Sequence, residues 1–545
     1  MTTRFTATIA AADTFNALRN AGLALYQRVE QAFDKPFGAA LNPWRHLGAL
    51  GFLFFWLIAV TGFYLFAVLD TSVEGVYTSI DWLTHEQWYL GGIIRSLHRY
   101  AADAFILVTL LHLTREFLLE RYGGFRRFSW LTGVPLLWFA YISGIGGFWL
   151  NWDQLGQFSA IASAEWLDWL PIFATPFTRN FLTAAAVSDR LFTLLVFIHI
   201  GVPLLLIFGL WFHVQRINRA EVFPPRALSL ATLAALLALA LALPVVSQGP
   251  ADLARVPGQL ALDWFYLFLH PLMYLSSPGS VWAMVVAITL LLLLLPFLPR
   301  HGVPAPVAVV DPDNCNGCRR CFDDCPYAAI VMVPHPQTSL GKPGQQLAKV
   351  LPDLCASCGI CAGSCPSSTP FRNVTALITG IDMPQLPIDG LRQALRTKLA
   401  AIAGDTKIAV FGCDHGAAIE ALSGADVAGF SLICTGMLPP SFVEYALREG
   451  AAGILVTGCR ENGCAYRLGS RWTEERLLGL REPHLRANVA RERLCIAWAD
   501  PGEEPELLAT LTEFRRRLAT LAALPDSQAN NLDAISPRGT AHAQI

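Results

Sequence analysis

The sequence predicts a multidomain protein in which an all-α transmembrane bundle of about six helices precedes two cysteine-rich domains, the second of them α/β. Hydrophobic residues make up 54% of the 545 residues and charged residues only 15%, below the roughly one quarter usual in soluble domains. All 13 cysteines lie at or after Cys315, whereas 13 of the 15 tryptophans lie before Arg300. The net charge of −2 gives no electrostatic case for binding nucleic acid.

Six apolar stretches are long enough to cross about 30 Å of hydrocarbon as helices. They lie near 47–69, 97–119, 131–150, 190–213, 227–246 and 279–298. Arginines crowd the 115–127 and 214–226 loops, and acidic residues fill the alternate loops. The positive-inside rule therefore puts the N-terminus and everything after Arg300 in the cytoplasm, in a multi-pass protein of the bacterial cytoplasmic membrane. In that reducing compartment the thiols are expected to bind metal rather than form disulfides.

Residues 1–40 lack the apolar core of a signal peptide. They predict an amphipathic helix on the membrane surface that carries Arg4, Arg19 and Arg28. A mobile tail is the alternative.

The second and fourth apolar helices carry two histidines each, at one repeated spacing. His98 and His112 are 14 residues apart, as are His199 and His213. Fourteen helical steps bring each pair to one face, about 21 Å apart. Both helices run from outside to inside, so His98 should lie level with His199, and His112 with His213. Two level pairs suit two bis-histidine haems that carry electrons; a proton path or simple packing is the alternative.

Four glycines repeat the same spacing on the first and third helices. A glycine facing each macrocycle would let a flat porphyrin approach the backbone, although small residues are also common where membrane helices pack. The glycines are Gly48, Gly62, Gly133 and Gly147. Arg95 and Arg115 flank the first histidine pair and are candidates to bind haem propionates.

Residues 43–298 resemble cytochrome b of the quinol-oxidising bc-type complexes and of their chloroplast counterpart. Besides the four histidines, the resemblance is carried by Ile94-Arg-Ser-Leu-His98-Arg, Trp130-Leu-Thr-Gly-Val-Pro135 and Trp152-Asp-Gln154. It implies a four-helix bundle with two haem b, followed by equivalents of the family's fifth and sixth helices. It also implies quinone or quinol as the substrate, and a homodimer.

The family's outer quinol site uses Pro-Glu-Trp-Tyr before the sixth helix, where this chain has Leu262-Asp263-Trp264-Phe265. Asp263 keeps a carboxylate that is one methylene shorter. Asp263 and Trp264 are therefore the candidate quinone site, and the alternative is that Trp264 and Phe265 are interfacial anchors. The chain has no Rieske-type Cys/His pairs, so it is not expected to split quinol electrons alone as a bc complex does.

Eight cysteines after Arg300 form two runs with one spacing, C-x2-C-x2-C-x3-C-P. This is the pattern of bacterial ferredoxins with two 4Fe-4S clusters, in which the fourth cysteine of each run binds the other cluster. The predicted ligand sets are Cys315, Cys318, Cys321 and Cys365 for one cluster, and Cys355, Cys358, Cys361 and Cys325 for the second. Four-thiolate zinc sites are the alternative.

Residues 406–522 alternate between strands and helices, which predicts an α/β layer. Apolar strands at 407–411 and 453–457 each lead to a Gly-Cys step. Four cysteines fall at predicted strand ends, where ligands converge, and scattered structural cysteines are the alternative. They are Cys413, Cys434, Cys459 and Cys464.

This pattern resembles the iron–sulfur delta subunit of methyl-viologen-reducing hydrogenase. The match runs through Phe411-Gly-Cys413, Cys434-Thr-Gly436, Gly458-Cys459 and Cys464-Ala-Tyr-Arg467. It implies one 2Fe-2S cluster on the same four cysteines and a cytoplasmic flavoprotein partner of the heterodisulfide-reductase type. The family's cysteine three residues after the first is Gly416 here, next to His415. Cys495 is expected to be part of the core.

The sequence carries no dinucleotide fingerprint, P-loop or nucleophile–base constellation, so a partner is expected to perform the substrate chemistry. The predicted segments are 1–40 (amphipathic), 41–300 (cytochrome b-like), 301–385 (two-cluster ferredoxin), 400–523 (delta-subunit-like) and 524–545 (disordered tail).

These features predict the membrane electron-transfer subunit of a quinone-linked oxidoreductase. It would connect a cytoplasmic flavin or iron–sulfur partner, such as the heterodisulfide-reductase-type flavoprotein or another dehydrogenase, with the quinone pool. The alternative is a membrane anchor for a soluble dehydrogenase or hydrogenase, with a vestigial haem domain. A transporter would need a polar path, and the sequence offers none beyond the histidines.

Overall fold

The structure is a computed structural model that describes residues 2–172, 176, 182–183, 186–217, 219–298, 306–336, 345–404, 406–422 and 424–522. The predicted tail at 524–545 lies outside these residues. The chain forms two compact units, one of residues 1–215 and 220–299 and the other of 216–219 and 300–545. Each unit is described by itself below.

Among its described residues, the first unit has helices as its regular secondary structure and no strand longer than a single β-bridge. Its α-helices are α1 Thr2–Phe37, α2 Leu47–Val68, α3 Gly75–His85, α4 Ile93–Leu118, α5 Arg127–Trp149, α6 Gln154–Asp168, α7 Asp189–Val214, α8 Arg226–Ala242, α9 Leu269–Leu275 and α10 Pro278–Leu294. Each of the six apolar stretches forms a helix. Three further helices, α3, α6 and α9, occupy segments in which no helix is expected from the sequence.

Four helical segments of this unit are long and apolar enough to cross a membrane. They are Leu47–Val68, Gly124–Trp149, Asp189–Val214 and Pro278–Phe297. The helix α8 is apolar but shorter, with 17 residues, and α4 has 26 residues but includes Arg99 and Asp103. The chain is thus a membrane protein whose histidine helices are α4 and α7.

The predicted N-terminal helix is present, and its second half packs on protein. Arg19 forms an ion pair with Glu120, and the ring of Tyr26 meets that of Trp44 edge-on at 5.2 Å. These contacts hold α1 against the loop that follows α4 and the turn that precedes α2. The side chain of Arg4 lies outside the described part.

The second unit begins with a small ferredoxin-like region. Strand β1 (Val309–Val310) pairs antiparallel with β4 (Ile381–Asp382), and β2 (Ile330–Pro334) pairs antiparallel with β3 (Gln346–Val350). Two one-turn helices, α11 (Arg320–Asp324) and α12 (Ile360–Ser364), each begin just before the third cysteine of a run. Alternating apolar residues of the strands cover a core that contains Cys321, Cys325 and Cys361.

The rest of the second unit is the predicted α/β layer. Four parallel strands lie in the order β6-β5-β7-β8. The strands are β5 (Ile408–Cys413), β6 (Val427–Leu432), β7 (Gly453–Gly458) and β8 (Leu494–Trp498), with helices α13 (Ile388–Ala401), α14 (Ser441–Arg448), α15 (Gly469–Leu477) and α16 (Glu504–Ala522) around them. Every residue of β5 and β7 is buried, as expected for strands covered on both faces. The predicted fold class is confirmed.

Candidate redox centres

The four histidines each lie against one of the four glycines. In the packed pairs α2–α4 and α5–α7, a Cβ added to Gly62 would stand 3.1 Å from Cε1 of His98, and one on Gly147 would stand 3.1 Å from Cε1 of His199. At the other end of the same helices, the equivalent distances are 3.5 Å from Gly48 to His112 and 3.2 Å from Gly133 to His213. Because a glycine has no side chain, each of these four positions leaves room for the imidazole ring of the histidine opposite.

The histidines of α4 and α7 are neighbours in the pairs that the sequence predicts. His98 on α4 lies close to His199 on α7, and His112 lies close to His213. The bundle thus has two histidine pairs, one towards each end of α4 and α7.

Three of these rings are oriented by hydrogen bonds through Nδ1. Nδ1 of His98 lies 3.0 Å from Oγ1 of Thr61 and 3.1 Å from the carbonyl oxygen of Ile58. Nδ1 of His213 lies 3.1 Å from Oγ1 of Thr132, and Nδ1 of His199 lies 3.1 Å from the carbonyl oxygen of Ser143. Such bonds fix the tautomer, so Nε2 is the nitrogen that would bind iron. Neutral imidazoles oriented in this way fit the axial ligation of haem.

The two threonines that contact histidines were missed in the sequence reading. Thr61 and Thr132 each precede one of the four glycines and also donate to their own helix, to Leu57 and Phe128 at 2.6 and 2.8 Å. The repeated Thr-Gly pair, on the helices that face the histidines, is the signal that could have found them.

The two arginines proposed for haem propionates have protein partners. Arg95 is buried and donates to Thr84, to Oδ1 of Asn151 at 2.9 Å and to Oγ of Ser247 at 2.8 Å. Arg115 lies 3.5 Å from the carboxylate of Glu116. Arg95 is therefore already held by protein groups, while its role toward a haem stays a prediction.

The two residues of the candidate quinone site have different surroundings. Asp263 is buried, forms an ion pair with Arg99 and accepts a hydrogen bond from the backbone N–H of Tyr266 at 2.6 Å. Trp264 is 69% exposed, as expected for a side chain that faces lipid or an interface. The pairing of Asp263 with Arg99 joins residues 164 positions apart, and no local pattern indicates it.

The eight ferredoxin-type cysteines form the two groups that the spacing predicts. One small cavity is lined by Cys315, Cys318 and Cys321 from the first run and by Cys365 from the second. Burial, together with the other three thiols of this cavity, raises the pKa of Cys321 to about 12. Crowded thiols that resist ionisation fit a site where iron supplies the compensating positive charge.

The second group is more deeply buried. Burial raises the pKa of Cys361 well above the usual value, and the other three thiols of this group, as well as Cys321 of the neighbouring group, act on it in the same direction. Cys325 comes from the first run, so each group again takes one cysteine from the opposite run. Within the described residues, no three His, Cys, Asp or Glu side chains are arranged to hold a single metal ion; a cluster needs its ligands spaced around a larger body.

The two cysteine runs also share an unusual backbone conformation. Gly317 and Ser357, each just before the second cysteine of a run, have φ of 70° and 59°. Arg319 and Gly359, each just after it, have φ of 66° and 75°. Left-handed residues of this kind turn successive N–H groups toward one point, which suits an anionic cluster. The strain at Ser357 and Arg319 is consistent with a functional loop.

The four cysteines of the α/β layer meet at the carboxyl ends of the strands. Cys413, Cys459 and Cys464 pack together in one buried cluster. A side chain on Gly469 would overlap Sγ of Cys434 and would stand 3.5 Å from Sγ of Cys464, so Cys434 lies beside that cluster. The neighbouring thiols lower the pKa of Cys413 and raise that of Cys434. Four buried thiols gathered at one place fit an iron–sulfur cluster.

The departure from the hydrogenase pattern has a structural reason. A Cβ on Gly416 would stand 2.8 Å from the backbone nitrogen of Cys459, so a cysteine there would need the loop to move. His415 beside it places Nε2 3.3 Å from the hydroxyl of Tyr466. Cys495 lies within β8 and packs against a hydrophobic core, as expected.

Comparison with known families agrees with this division of the chain. The family model of cytochrome b/b6/petB matches residues 32–220, that of the 4Fe-4S dicluster domain matches 309–369, and that of the delta subunit of methyl-viologen-reducing hydrogenase matches 407–522. The chain is similar to these three families, in that order. The three predicted resemblances are confirmed. The cytochrome b match implies haem, and the dicluster match implies iron–sulfur clusters.

Among solved structures, a chain described as "Hyperthermophilic respiratory Complex III" is 20% identical, with a TM-score of 0.39. The alignment covers 47% of this chain and 75% of the other. The cytochrome b model ends at residue 220, so the comparison of Leu262–Phe265 with a quinol site stays a prediction.

Proposed function

We propose that the chain is the membrane electron-transfer subunit of a quinone-linked oxidoreductase complex in the bacterial cytoplasmic membrane. It would hold two haem b in the first unit, two 4Fe-4S clusters in the ferredoxin-like region and one 2Fe-2S cluster in the α/β layer. When bound, these groups supply one-electron transfer. The partner would be a cytoplasmic flavoprotein of the heterodisulfide-reductase type or another dehydrogenase, which would perform the substrate chemistry.

The observation that carries the proposal is the pair of level histidines at each end of the bundle. Each ring lies against a glycine, and three of the four are oriented through Nδ1, as a bis-histidine haem requires. Two axial histidines leave iron with no open position, which suits electron transfer rather than oxygen chemistry. A vestigial anchor would not need all four histidine–glycine pairs.

The protein side of the proposal assigns each group of residues a task. His98 and His199 would hold one haem, and His112 and His213 the other. Cys315, Cys318, Cys321 and Cys365 would hold one cubane, with Cys325, Cys355, Cys358 and Cys361 holding the next, and Cys413, Cys434, Cys459 and Cys464 holding the 2Fe-2S cluster. Asp263 and Trp264 are the proposed quinone contact, and the complex is proposed to be a homodimer.

The test is the difference spectrum of the purified chain, reduced with dithionite and then oxidised in air. We expect haem b bands at two haems per chain. His98→Ala and His199→Ala should each remove one haem and abolish quinone-linked activity. His85→Ala is the matched control, since His85 is exposed on the short helix α3.

Two results would contradict the proposal. Absence of haem b bands from the parent chain would favour the membrane-anchor alternative. Full quinone-linked activity with one haem missing would exclude a path through both histidine pairs.

A further inference from the structure

Within the second unit, the ferredoxin-like region and the α/β layer meet at a tightly packed junction. We propose that this junction is a fixed electron-transfer contact between the Cys413/434/459/464 group and the Cys325/355/358/361 group, and that Arg476 and Asp324 set its spacing. The inference rests on the proposed function in taking both groups as cluster sites. It adds which of the two 4Fe-4S sites lies next to the 2Fe-2S site, and which residues hold these two sites together.

The first observation is a buried apolar cluster shared by both cysteine groups. It contains Cys358 and Ile360 from the second ferredoxin run, and Cys434, Leu468 and Trp472 from the α/β layer. Ile360 is fully buried, and Cys434 and Trp472 are each 1% exposed. Water is thus excluded between a cysteine of one group and a cysteine of the other.

The second observation is that backbone meets backbone at this point. A side chain on Gly363 would overlap the carbonyl oxygen of Gly436. A Cβ on Gly436 would stand 2.7 Å from Cγ1 of Ile360, and one on Gly359 would stand 2.9 Å from Cβ of Met437. These glycines lie one or two residues from Cys358, Cys361 and Cys434 in the sequence. Only glycine allows the ligand loops to approach this closely.

The third observation is a buried ionic contact that spans the junction. Asp324, directly before Cys325, lies 2.5 Å from Nη2 of Arg476 and 2.5 Å from Nη1 of Arg481. Arg476 also donates to the carbonyl oxygen of Gly436 at 2.8 Å, and Nε1 of Trp472 donates to the carbonyl oxygen of Asp324 at 3.1 Å. One guanidinium therefore binds both the residue beside Cys325 and the peptide beside Cys434.

Because this ionic contact is buried, its main effect is to fix the distance between the two ligand loops rather than to stabilise the fold. Asp324 and Arg476 are 2% and 1% exposed, and desolvation offsets much of the attraction in a buried pair. The planar guanidinium, however, fixes direction as well as charge. Arg476 and Asp324 are thus positioning residues that hold two ligand loops in one geometry.

The other ferredoxin group does not share this junction. Its members line the small cavity described above, and Cys318 is exposed. An electron that enters the α/β layer would first reduce the site there. It would then pass to the Cys325/355/358/361 site, which is reduced as the first site is reoxidised, with no bond made or broken. The Cys315/318/321/365 site would be the next acceptor and the exposed end of the relay.

The test uses electron paramagnetic resonance of the full chain, fully reduced. Two paramagnetic clusters in contact broaden each other's signals and speed their relaxation, and the effect falls steeply with separation. We expect this interaction between the 2Fe-2S signal and one 4Fe-4S signal in the parent chain. Cys318→Ser should leave it in place, because Cys318 belongs to the other group.

Variants at the junction should remove the interaction while iron and sulfide content stay complete. Gly436→Ala pushes the ligand loops apart, and Arg476→Met removes the guanidinium, whereas Arg476→Lys should restore part of the interaction. Gly390→Ala is the glycine control, because an added Cβ there meets only Pro387 at 3.9 Å. Arg515→Met is the arginine control, because its partner Asp426 lies away from the cysteines.

Two outcomes would overturn the proposal. One is a parent chain that holds all three clusters without magnetic interaction between them. The other is an interaction that survives both Gly436→Ala and Arg476→Met. Neither outcome depends on haem, so a chain lacking haem would contradict the proposed function and leave the junction intact.

Discussion

At the residue scale, a glycine is paired with each histidine of the bundle, and this pairing makes a prediction. Gly62→Val and Gly147→Val should each remove one haem, since an added side chain would meet the ring of His98 or His199 and tilt its Nε2. Absorbance of reduced haem per chain measures the effect. Gly201→Val on α7 is the matched control, because a Cβ there meets nothing within 4 Å. Equal haem loss in all three variants would mean that the bundle, not the ring, had been disturbed.

The same residues show which features of the site can be predicted from the sequence and which cannot. The 14-residue period placed four histidines and four glycines on matching faces, because helical geometry depends only on spacing. It did not indicate that the glycines accommodate imidazole rings, or that Thr61 and Thr132 orient two of them, since those contacts cross between helices. The ion pair of Asp263 with Arg99 and that of Asp324 with Arg476 join residues more than 150 positions apart. Tertiary packing alone brings them together.

At the scale of elements, Arg95 ties α4 to α3 and to the segments around Asn151 and Ser247. Arg95→Met should remove the donor from these partly buried acceptors and destabilise the unit by on the order of 1–3 kcal/mol in all. Thermal unfolding followed by tryptophan fluorescence would show the loss, and the haem midpoint potential should stay the same. Arg255→Met is the control, because that side chain is 85% exposed. A shifted potential with unchanged unfolding would instead favour the propionate role.

Local sequence signals predict the boundaries of helices and strands better than they predict the number of helices. The strand expected at 453–457 is β7, Gly453–Gly458, and the apolar stretch expected at 190–213 is α7, Asp189–Val214. The helices α3 and α6 were not expected, because they lie in polar loops whose helical faces are covered only after the bundle has formed. Val76 of α3 and Ala162 of α6, for example, are fully buried.

At the scale of the whole molecule, the charge of the loops predicts on which side of the membrane the second unit lies. We expect a protease site inserted at 300–305 to be cut in inside-out vesicles and protected in right-side-out vesicles, because arginine-rich loops stay in the cytoplasm. The released fragment should carry all the iron–sulfur absorbance, and haem should remain with the membrane. A site inserted at 250–258, in the segment between α8 and α9, should show the opposite protection and serves as the control. Cutting at 300–305 from the outer side would reverse the assignment and require an external electron partner in place of a cytoplasmic flavoprotein.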